Sequence, residues 1–179
     1  RSSRHLANVI QAHGGRPIQW HCSRAMIRDR LDQPGGLLAG SYSGCVWINP
    51  DWSGWADALY AAARLLAIVA ADAAPLSNRL KALPHAISTP EYHLSLPREQ
   101  AEQLLQKIES EGDFGSARML RLDGLKAEFD QGWGLVRSGI SSPALIFRFE
   151  ADDASALAGI QKQFRDVMTK LAPECQLPF

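Results

Sequence analysis

The sequence has little cysteine, with only Cys22, Cys45 and Cys175 among 179 residues. Their wide spacing and odd number provide neither a disulfide framework nor the paired ligands of a structural zinc site. Such isolated cysteines are typical of a reducing compartment, so we expect a cytoplasmic protein. The histidines are also scattered, and the chain has no Gly-x-Ser-x-Gly motif and no phosphate loop ending in Lys-Ser or Lys-Thr. The sequence therefore offers none of the usual signatures of serine hydrolases or nucleoside triphosphatases.

An excess of charge of either sign is absent as well. The chain has 19 basic and 19 acidic residues and a pI of about 7.1, so no general attraction to nucleic acid or to an anionic membrane is expected. The longest apolar run, Leu59–Ala71, is short and is interrupted by Arg64, and it cannot span a bilayer. We therefore expect no nucleic-acid or membrane partner, and any bound anion must be held by a local group of residues.

The first half of the chain mixes helical and strand patterns. Apolar residues repeat at helical spacing from Leu6 to His13, Ser23 is placed to cap a helix that ends at Leu31, and Asp57–Ala71 is an alanine-rich helix that we expect to be mostly buried. We predict strands at Pro17–Trp20, Leu37–Ala39 and Cys45–Ile48, and a short helix at Pro75–Leu83. This order predicts an α/β domain that is incomplete at its N-terminal edge.

The architecture changes between Leu83 and Pro97, where prolines and polar residues mark a linker, and we place the boundary at about Pro90. The strands predicted after it are Tyr92–Leu96, Arg118–Leu122, Leu125–Phe129, Leu135–Val136 and Ala144–Glu150. The predicted helices are Pro97–Ser110 and Ala154–Leu171, the second capped by Asp153 or its neighbour. This order indicates an α+β domain, an antiparallel sheet with two helices on one face.

The strongest candidate for a binding site lies in Gly132–Pro143. Arg137 stands close to Gly139 and to two adjacent hydroxyls, Ser141 and Ser142, in a loop between two apolar strands. A guanidinium donates a forked set of hydrogen bonds that matches phosphate oxygens. Glycine permits a positive φ, at which successive backbone N–H groups converge on one anion. The pattern predicts a phosphate cradle, and an ordinary hairpin turn with a solvated arginine is the alternative.

The residues around this loop point to a family. Leu122–Lys126 and Gly132–Arg137 precede the loop, and Leu145–Ala151 and a closing helix follow it. This order resembles the C-terminal domain of the bacterial phosphomannomutase/phosphoglucomutase family, the α-D-phosphohexomutases. The family loop reads Arg-x-Ser-Asn-Thr-Thr-Pro and holds the substrate phosphate. The resemblance implies that role for Arg137, Ser138, Gly139, Ser141 and Ser142. Gly139 and Ile140 replace the family's serine and asparagine, so two side-chain donors are lost.

A second stretch, Gly40–Cys45, resembles the family's sugar-selecting Gly-Glu-x-Ser-Gly-His loop, and Asp57–Leu66 resembles the helix that follows it. The resemblance implies a sugar-binding loop formed by Ser41, Ser43 and Cys45. Ser41 replaces a glutamate and Cys45 a histidine, and a serine hydroxyl cannot match the charge or reach of a carboxylate. A simple turn between strands is therefore the favoured alternative. The resemblance also makes Arg1 and Arg24, in place of a lysine and a histidine, possible accessory contacts to an anion.

The resemblance extends over the whole chain and includes Ile87–Glu91, which is similar to the crossing between the third and fourth domains of the family. It implies a domain 3-like region, residues 1–89, with a three-layer mixed sheet whose first strand is missing, and a domain 4-like region, residues 90–179. Two further domains would precede them and carry a phosphoserine loop and an Asp-Gly-Asp-Gly-Asp-Arg loop for Mg²⁺. Neither motif occurs here, so we expect no catalytic residue and no metal ligand in this chain.

We therefore predict a C-terminal fragment of a phosphomannomutase/phosphoglucomutase-like protein. It would bind a hexose phosphate, mannose or glucose 1- or 6-phosphate, and contribute to intramolecular phosphoryl transfer between the 1- and 6-positions. Its partner would be the upstream domains of the same protein, without which it could not turn over. The alternative is a degenerate, non-catalytic relative that acts as a binding or regulatory module. The substitutions that motivate this alternative are those at Ser41, Cys45, Gly139 and Ile140.

Overall fold

The computed structural model of the chain describes residues 1–49, 52–139 and 142–179. The chain forms two compact units, Arg1–Pro84 and His85–Phe179. The sequence analysis placed the domain boundary at about Pro90. The second unit begins earlier because a short strand, Ile87–Ser88, pairs with a strand near the end of the chain.

The described residues of the first unit form four helices and a small antiparallel sheet. Its elements are α1 (Arg4–Ala12), α2 (Arg24–Leu31), β1 (Leu38–Gly40), β2 (Val46–Ile48), α3 (Ala58–Ala70) and α4 (Leu76–Lys81). The two strands pair from Leu38 opposite Ile48 to Gly40 opposite Val46. Its small core contains Ile27 and Leu31 of α2 and Trp47 of β2. The core therefore fixes α2 against the hairpin that carries the Gly40–Cys45 loop.

Helix caps explain some of the helix boundaries in this unit and correct one expectation. The carboxylate of Asp57 accepts hydrogen bonds from the N–H groups of Leu59 and Tyr60 and so begins α3. The predicted helix from Arg24 to Leu31 is confirmed, but Ser23 makes no side-chain capping bond. Helix α2 is instead tied to its surroundings by Arg28, which donates to the carbonyl of Ser53 and forms a two-pronged contact with a carboxylate one turn later, that of Asp32.

Two predictions for the first unit are wrong. Pro17–Trp20 is not a strand, because within the described residues no neighbouring strand pairs with its backbone. Helix α3 was expected to be mostly buried, yet it contains no buried residue, and Leu59 and Leu66 are 85% and 67% exposed. Apolar composition indicates that a helix can be buried, but burial also requires a surface to cover it. Within the first unit, α3 packs against β2.

In the second unit, the described residues form a six-stranded antiparallel sheet and two helices. Its strands are β3 (Ile87–Ser88), β4 (Tyr92–Ser95), β5 (Arg118–Arg121), β6 (Leu125–Phe129), β7 (Gly132–Ser138) and β8 (Ala144–Ala151). Its helices are α5 (Arg98–Glu111) and α6 (Ala154–Leu171). The sheet runs in the order β3-β8-β7-β6-β5, and β4 shares an edge of β8 with β3. This confirms the predicted α+β architecture, to which the structure adds β3.

Both helices cover the same face of the sheet. Because side chains alternate along a strand, Val136 of β7 and Phe147 and Phe149 of β8 point to one side. They join Ile108 of α5 and Phe164 of α6 in a single core. Helix α6 begins where predicted, because the carboxylate of Asp153 accepts a hydrogen bond from the N–H of Ala156. The strand residues between the core positions belong to the opposite face, which carries the site described below.

Thr89 fastens the start of this unit to β8. Its N–H donates to the carbonyl of Phe149 at 3.0 Å, its hydroxyl accepts from the N–H of Phe149 at 3.1 Å, and that hydroxyl donates to the carbonyl of Pro90. Thr89 is buried, with 8% of its surface exposed. The hydroxyl therefore satisfies a buried backbone donor where the regular ladder is interrupted.

Replacing Thr89 by valine is expected to lower the free energy of unfolding by about 2 kcal/mol, because the buried N–H of Phe149 loses its acceptor while the side-chain shape is kept. Chemical denaturation measures the change, and amide hydrogen exchange should accelerate at Phe149. Thr89→Ser keeps the hydroxyl and serves as the control. Equal loss of stability in the serine and valine variants would contradict this role of the hydroxyl.

Candidate functional site

Arg137 lies near the end of β7, on the face of the sheet that α5 and α6 do not cover. It follows Trp133 and Leu135 at alternate positions of the strand, and it is 7% exposed. Its Nη1 donates to the carbonyl of Ser138 at 3.3 Å. Its Nη2 lies 3.7 Å from a carboxylate oxygen of Glu91. These two contacts place the guanidinium next to the β7–β8 turn.

The turn itself differs from the expected cradle. Gly139 does not have the positive φ that the sequence analysis anticipated. Its N–H donates to the carbonyl of Ala144 at 2.8 Å and so closes the hairpin. A Cβ at position 139 would overlap the carbonyl oxygen of Ser142, so glycine serves close backbone packing here rather than a left-handed turn. The N–H of Gly139 is therefore not presented to an anion in this conformation.

The remaining residues of the predicted phosphate loop have different surroundings. Ser138 is half-buried and pairs with Leu145 across the hairpin, whereas Ser142 is exposed. Ile140 and Ser141 lie outside the described residues. Of the predicted donors that the structure describes, Arg137 lies near the end of β7, and the exposed Ser142 lies two residues before β8 begins.

The Gly40–Cys45 loop forms a tight turn between β1 and β2. The N–H of Ser41 donates to the carbonyl of Cys45, and the N–H of Gly44 donates to the carbonyl of Ser41, both at 3.0 Å. Gly44 has a φ of +83°, which favours glycine. The structure brings the three predicted sugar-loop residues together: the hydroxyls of Ser41 and Ser43 are 2.8 Å apart, and Ser43 Oγ lies 3.7 Å from Cys45 Sγ. Their polar atoms are thus bonded to one another.

The two accessory arginines have different positions. The guanidinium of Arg1 lies 5.5 Å from the ring centre of Tyr42, within the Gly40–Cys45 loop, and this distance is typical of a cation–π contact. Arg24 is exposed at the first position of α2. The structure therefore brings Arg1, but not Arg24, into a described contact with the predicted sugar loop.

Comparison with known proteins gives the family. Residues 1–87 match the family described as "Phosphoglucomutase/phosphomannomutase, alpha/beta/alpha domain III". All 179 residues align at 36% identity with a phosphomannomutase/phosphoglucomutase from Pseudomonas putida, of which they cover 39%. The chain belongs to the phosphoglucomutase/phosphomannomutase family. A phosphoglucomutase from Neisseria gonorrhoeae is 39% identical over 170 residues, which is 94% of this chain and 37% of that protein.

A solved structure from the phosphoglucomutase/phosphomannomutase family is similar in fold. The crystal structure of a family member from Burkholderia thailandensis has a TM-score of 0.90 and 38% identity, covering 99% of this chain and 37% of its own. The predicted fold class is thereby confirmed. The chain spans less than two fifths of the length of these relatives and corresponds to the C-terminal part of a family member.

Two further findings concern metal ions and membranes. Over residues 1–49, 52–139 and 142–179, no three His, Cys, Asp or Glu side chains cluster as a metal site would require. Within the same residues, no helix combines the length and the apolar character needed to cross a bilayer.

The sequence analysis missed the other buried charged side chains on the face of the sheet that carries Arg137. Strand pairing places Lys126, Arg148 and Glu150 on the same face as Arg137, and all three are at most 6% exposed. Glu150 accepts a hydrogen bond from the indole N–H of Trp133. The alternation of β8 places Arg148 and Glu150 on one face, and this could have been predicted from the sequence. The pairing of that strand with β7 could not.

Proposed function

We propose that this chain contributes the binding of a hexose phosphate to intramolecular phosphoryl transfer between hexose 1-phosphate and hexose 6-phosphate. The observation that carries the proposal is the placement of Arg137. In a chain of the phosphoglucomutase/phosphomannomutase family, its guanidinium lies beside the turn that ends in the exposed Ser142. Charge-assisted hydrogen bonds from a guanidinium to phosphate are stronger than those from neutral donors, so Arg137 would supply most of the attraction.

The roles proposed for the other candidate residues are those that the family resemblance implies. In the 90–179 region, Ser141 and Ser142 would add hydroxyl donors, and Ser138 and Gly139 would shape the turn. In the 1–89 region, Ser41, Ser43 and Cys45 would contact sugar hydroxyls, with Arg1 and Arg24 as accessory cations. Their contribution would be to position the substrate and stabilise its charge. The phosphoserine and Mg²⁺ would belong to the rest of the protein, and the low cysteine content, three in 179 residues, supports a cytoplasmic location.

The test is the affinity of the full chain for inorganic phosphate and glucose 1-phosphate, followed by NMR chemical shifts of Arg137 and Ser142. Arg137→Gln is expected to raise the dissociation constant at least about tenfold, because it removes the charged donor. Arg118→Gln is the matched control, since the Arg118 side chain is 77% exposed on another strand. The proposal fails if neither ligand gives a saturable shift, or if the two substitutions weaken binding equally.

The non-catalytic alternative is favoured by one observation. Ser41, Ser43 and Cys45 bond among themselves and include no carboxylate to accept bonds from sugar hydroxyls. If this loop no longer selects a sugar, the chain should bind glucose 1-phosphate no more tightly than inorganic phosphate. A clear preference for the sugar phosphate would instead support the substrate-binding role.

A further inference from the structure

A bulge at the edge of the sheet determines where Glu91 lies. Ser88 pairs with Glu150, and Tyr92 pairs with Phe147. Three residues, 89–91, therefore face only two residues of β8, 148 and 149. Pro90 sits within this bulge, where its missing N–H costs no ladder bond. A bulge changes the direction of the side chains beside it. Here it brings the Glu91 carboxylate within 3.7 Å of the Arg137 guanidinium, although β8 lies between β4 and the β7 strand that carries Arg137.

The contact between Glu91 and Arg137 is close but is not a short hydrogen bond. Nη2 of Arg137 and Oε1 of Glu91 are 3.7 Å apart, whereas a charge-assisted hydrogen bond is about 2.8 Å long. The two side chains are only 9% and 22% exposed, so water screens the pair less than it would on the open surface. The carboxylate therefore attracts the guanidinium through its charge rather than through a short hydrogen bond.

This arrangement gives Arg137 an internal anion next to the turn where phosphate is proposed to bind. Its other terminal nitrogen, Nη1, contacts the carbonyl of Ser138 at 3.3 Å. Both terminal nitrogens thus have oxygen neighbours at distances longer than those of strong hydrogen bonds. A phosphate that took up the fork of the guanidinium would have to replace the carboxylate at Nη2.

We propose that Glu91 is an exchangeable counter-ion of Arg137, which phosphate must displace and which thereby weakens phosphate binding. This inference rests on the proposed phosphate-binding function of Arg137. It assigns Glu91 a tuning role: the carboxylate holds the arginine near the turn in the free chain and competes with the ligand for it.

The test compares Glu91→Gln with the unchanged chain, with inorganic phosphate as the probe. Glutamine keeps the shape and a carbonyl acceptor but removes the competing charge, so phosphate should bind about fivefold more tightly at low salt. The gain should fall only slightly as ionic strength rises, because the removed pair is mostly buried and salt screens it little. A purely structural role of Glu91 would instead lower the phosphate affinity of Glu91→Gln. Asp166→Asn is the control: it removes one negative charge from an exposed ion pair with Lys162 on α6, which covers the other face of the sheet, and should leave the affinity unchanged.

The outcomes separate this inference from the function on which it rests. If the unchanged chain and Glu91→Gln bind phosphate equally, and Arg137→Gln abolishes both, phosphate binding stands and the competitor role is overturned. Weaker binding by a folded Glu91→Gln overturns it as well. If neither form binds phosphate, both proposals fail. Should Glu91→Gln not fold, Glu91→Asp replaces it: the retracted carboxylate should give a smaller gain in affinity, and an unchanged affinity would overturn the inference.

Discussion

Replacing Phe164 by alanine is expected to lower the free energy of unfolding of the second unit by about 4 kcal/mol. The ring is 1% exposed, and its centre lies 4.6 Å from that of Phe114 and 5.2 Å from that of Phe149. It also lies directly above Gly134 of β7. Truncation would therefore open a cavity between α6 and the centre of the sheet. Urea denaturation followed by NMR signals of the second unit measures the loss.

The close approach of Phe164 to Gly134 provides a sharper form of this experiment. A Cβ at position 134 would overlap the Phe164 ring, so Gly134→Ala alone is expected to cost about 2 kcal/mol by overpacking. Once Phe164 is alanine, the same methyl group has room, and most of that cost should disappear. Additive effects in the double variant would contradict the proposed packing. Gln163→Ala, an exposed substitution on the same helix, should change stability by less than about 0.5 kcal/mol.

Local patterns predicted the second unit well. Helix α6 occupies the predicted Ala154–Leu171, because a capping aspartate and an apolar face at helical spacing both specify it. The strand Leu125–Phe129 is confirmed at both ends. The helix predicted from Pro97 begins one residue later, with Pro97 as its N-cap. In these elements the local signals and the tertiary packing agree.

The errors arise where structure depends on distant partners. The sequence of Pro17–Trp20 does not reveal that, within the described residues, no neighbouring strand pairs with it. The composition of α3 likewise does not reveal whether another element packs over its apolar side chains. The same limit applies to the candidate site. Arg137 was predicted from its own loop, but the proximity of Glu91 depends on the register of β3 and β4 against β8. A one-residue bulge sets that register, and no periodicity in the sequence indicates it.

Gly124 links the stability of the second unit to the position of Arg137, and replacing it by alanine is expected to cost about 3 kcal/mol. It has a φ of +95°, which is costly for a residue with a Cβ. The new Cβ would also lie 2.6 Å from the Cβ of Arg137 and would overlap the carbonyl of Val136. The turn between β5 and β6 can therefore approach β7 only with glycine at this position.

Gly115 offers a matched control for Gly124, because its φ is +60° and a Cβ there would meet nothing within 4 Å. Gly115→Ala should cost only about 1 kcal/mol, the conformational part alone. Denaturation measures the stability of both variants, and the NMR signal of the Arg137 guanidinium should shift in Gly124→Ala but not in Gly115→Ala.

Equal losses of stability in the two variants would show that backbone conformation accounts for the whole effect. An unshifted Arg137 in Gly124→Ala would show that the turn does not hold the arginine in place. If both expectations hold, the phosphate affinity of Gly124→Ala should fall with the displacement of Arg137, although no proposed phosphate donor has been removed.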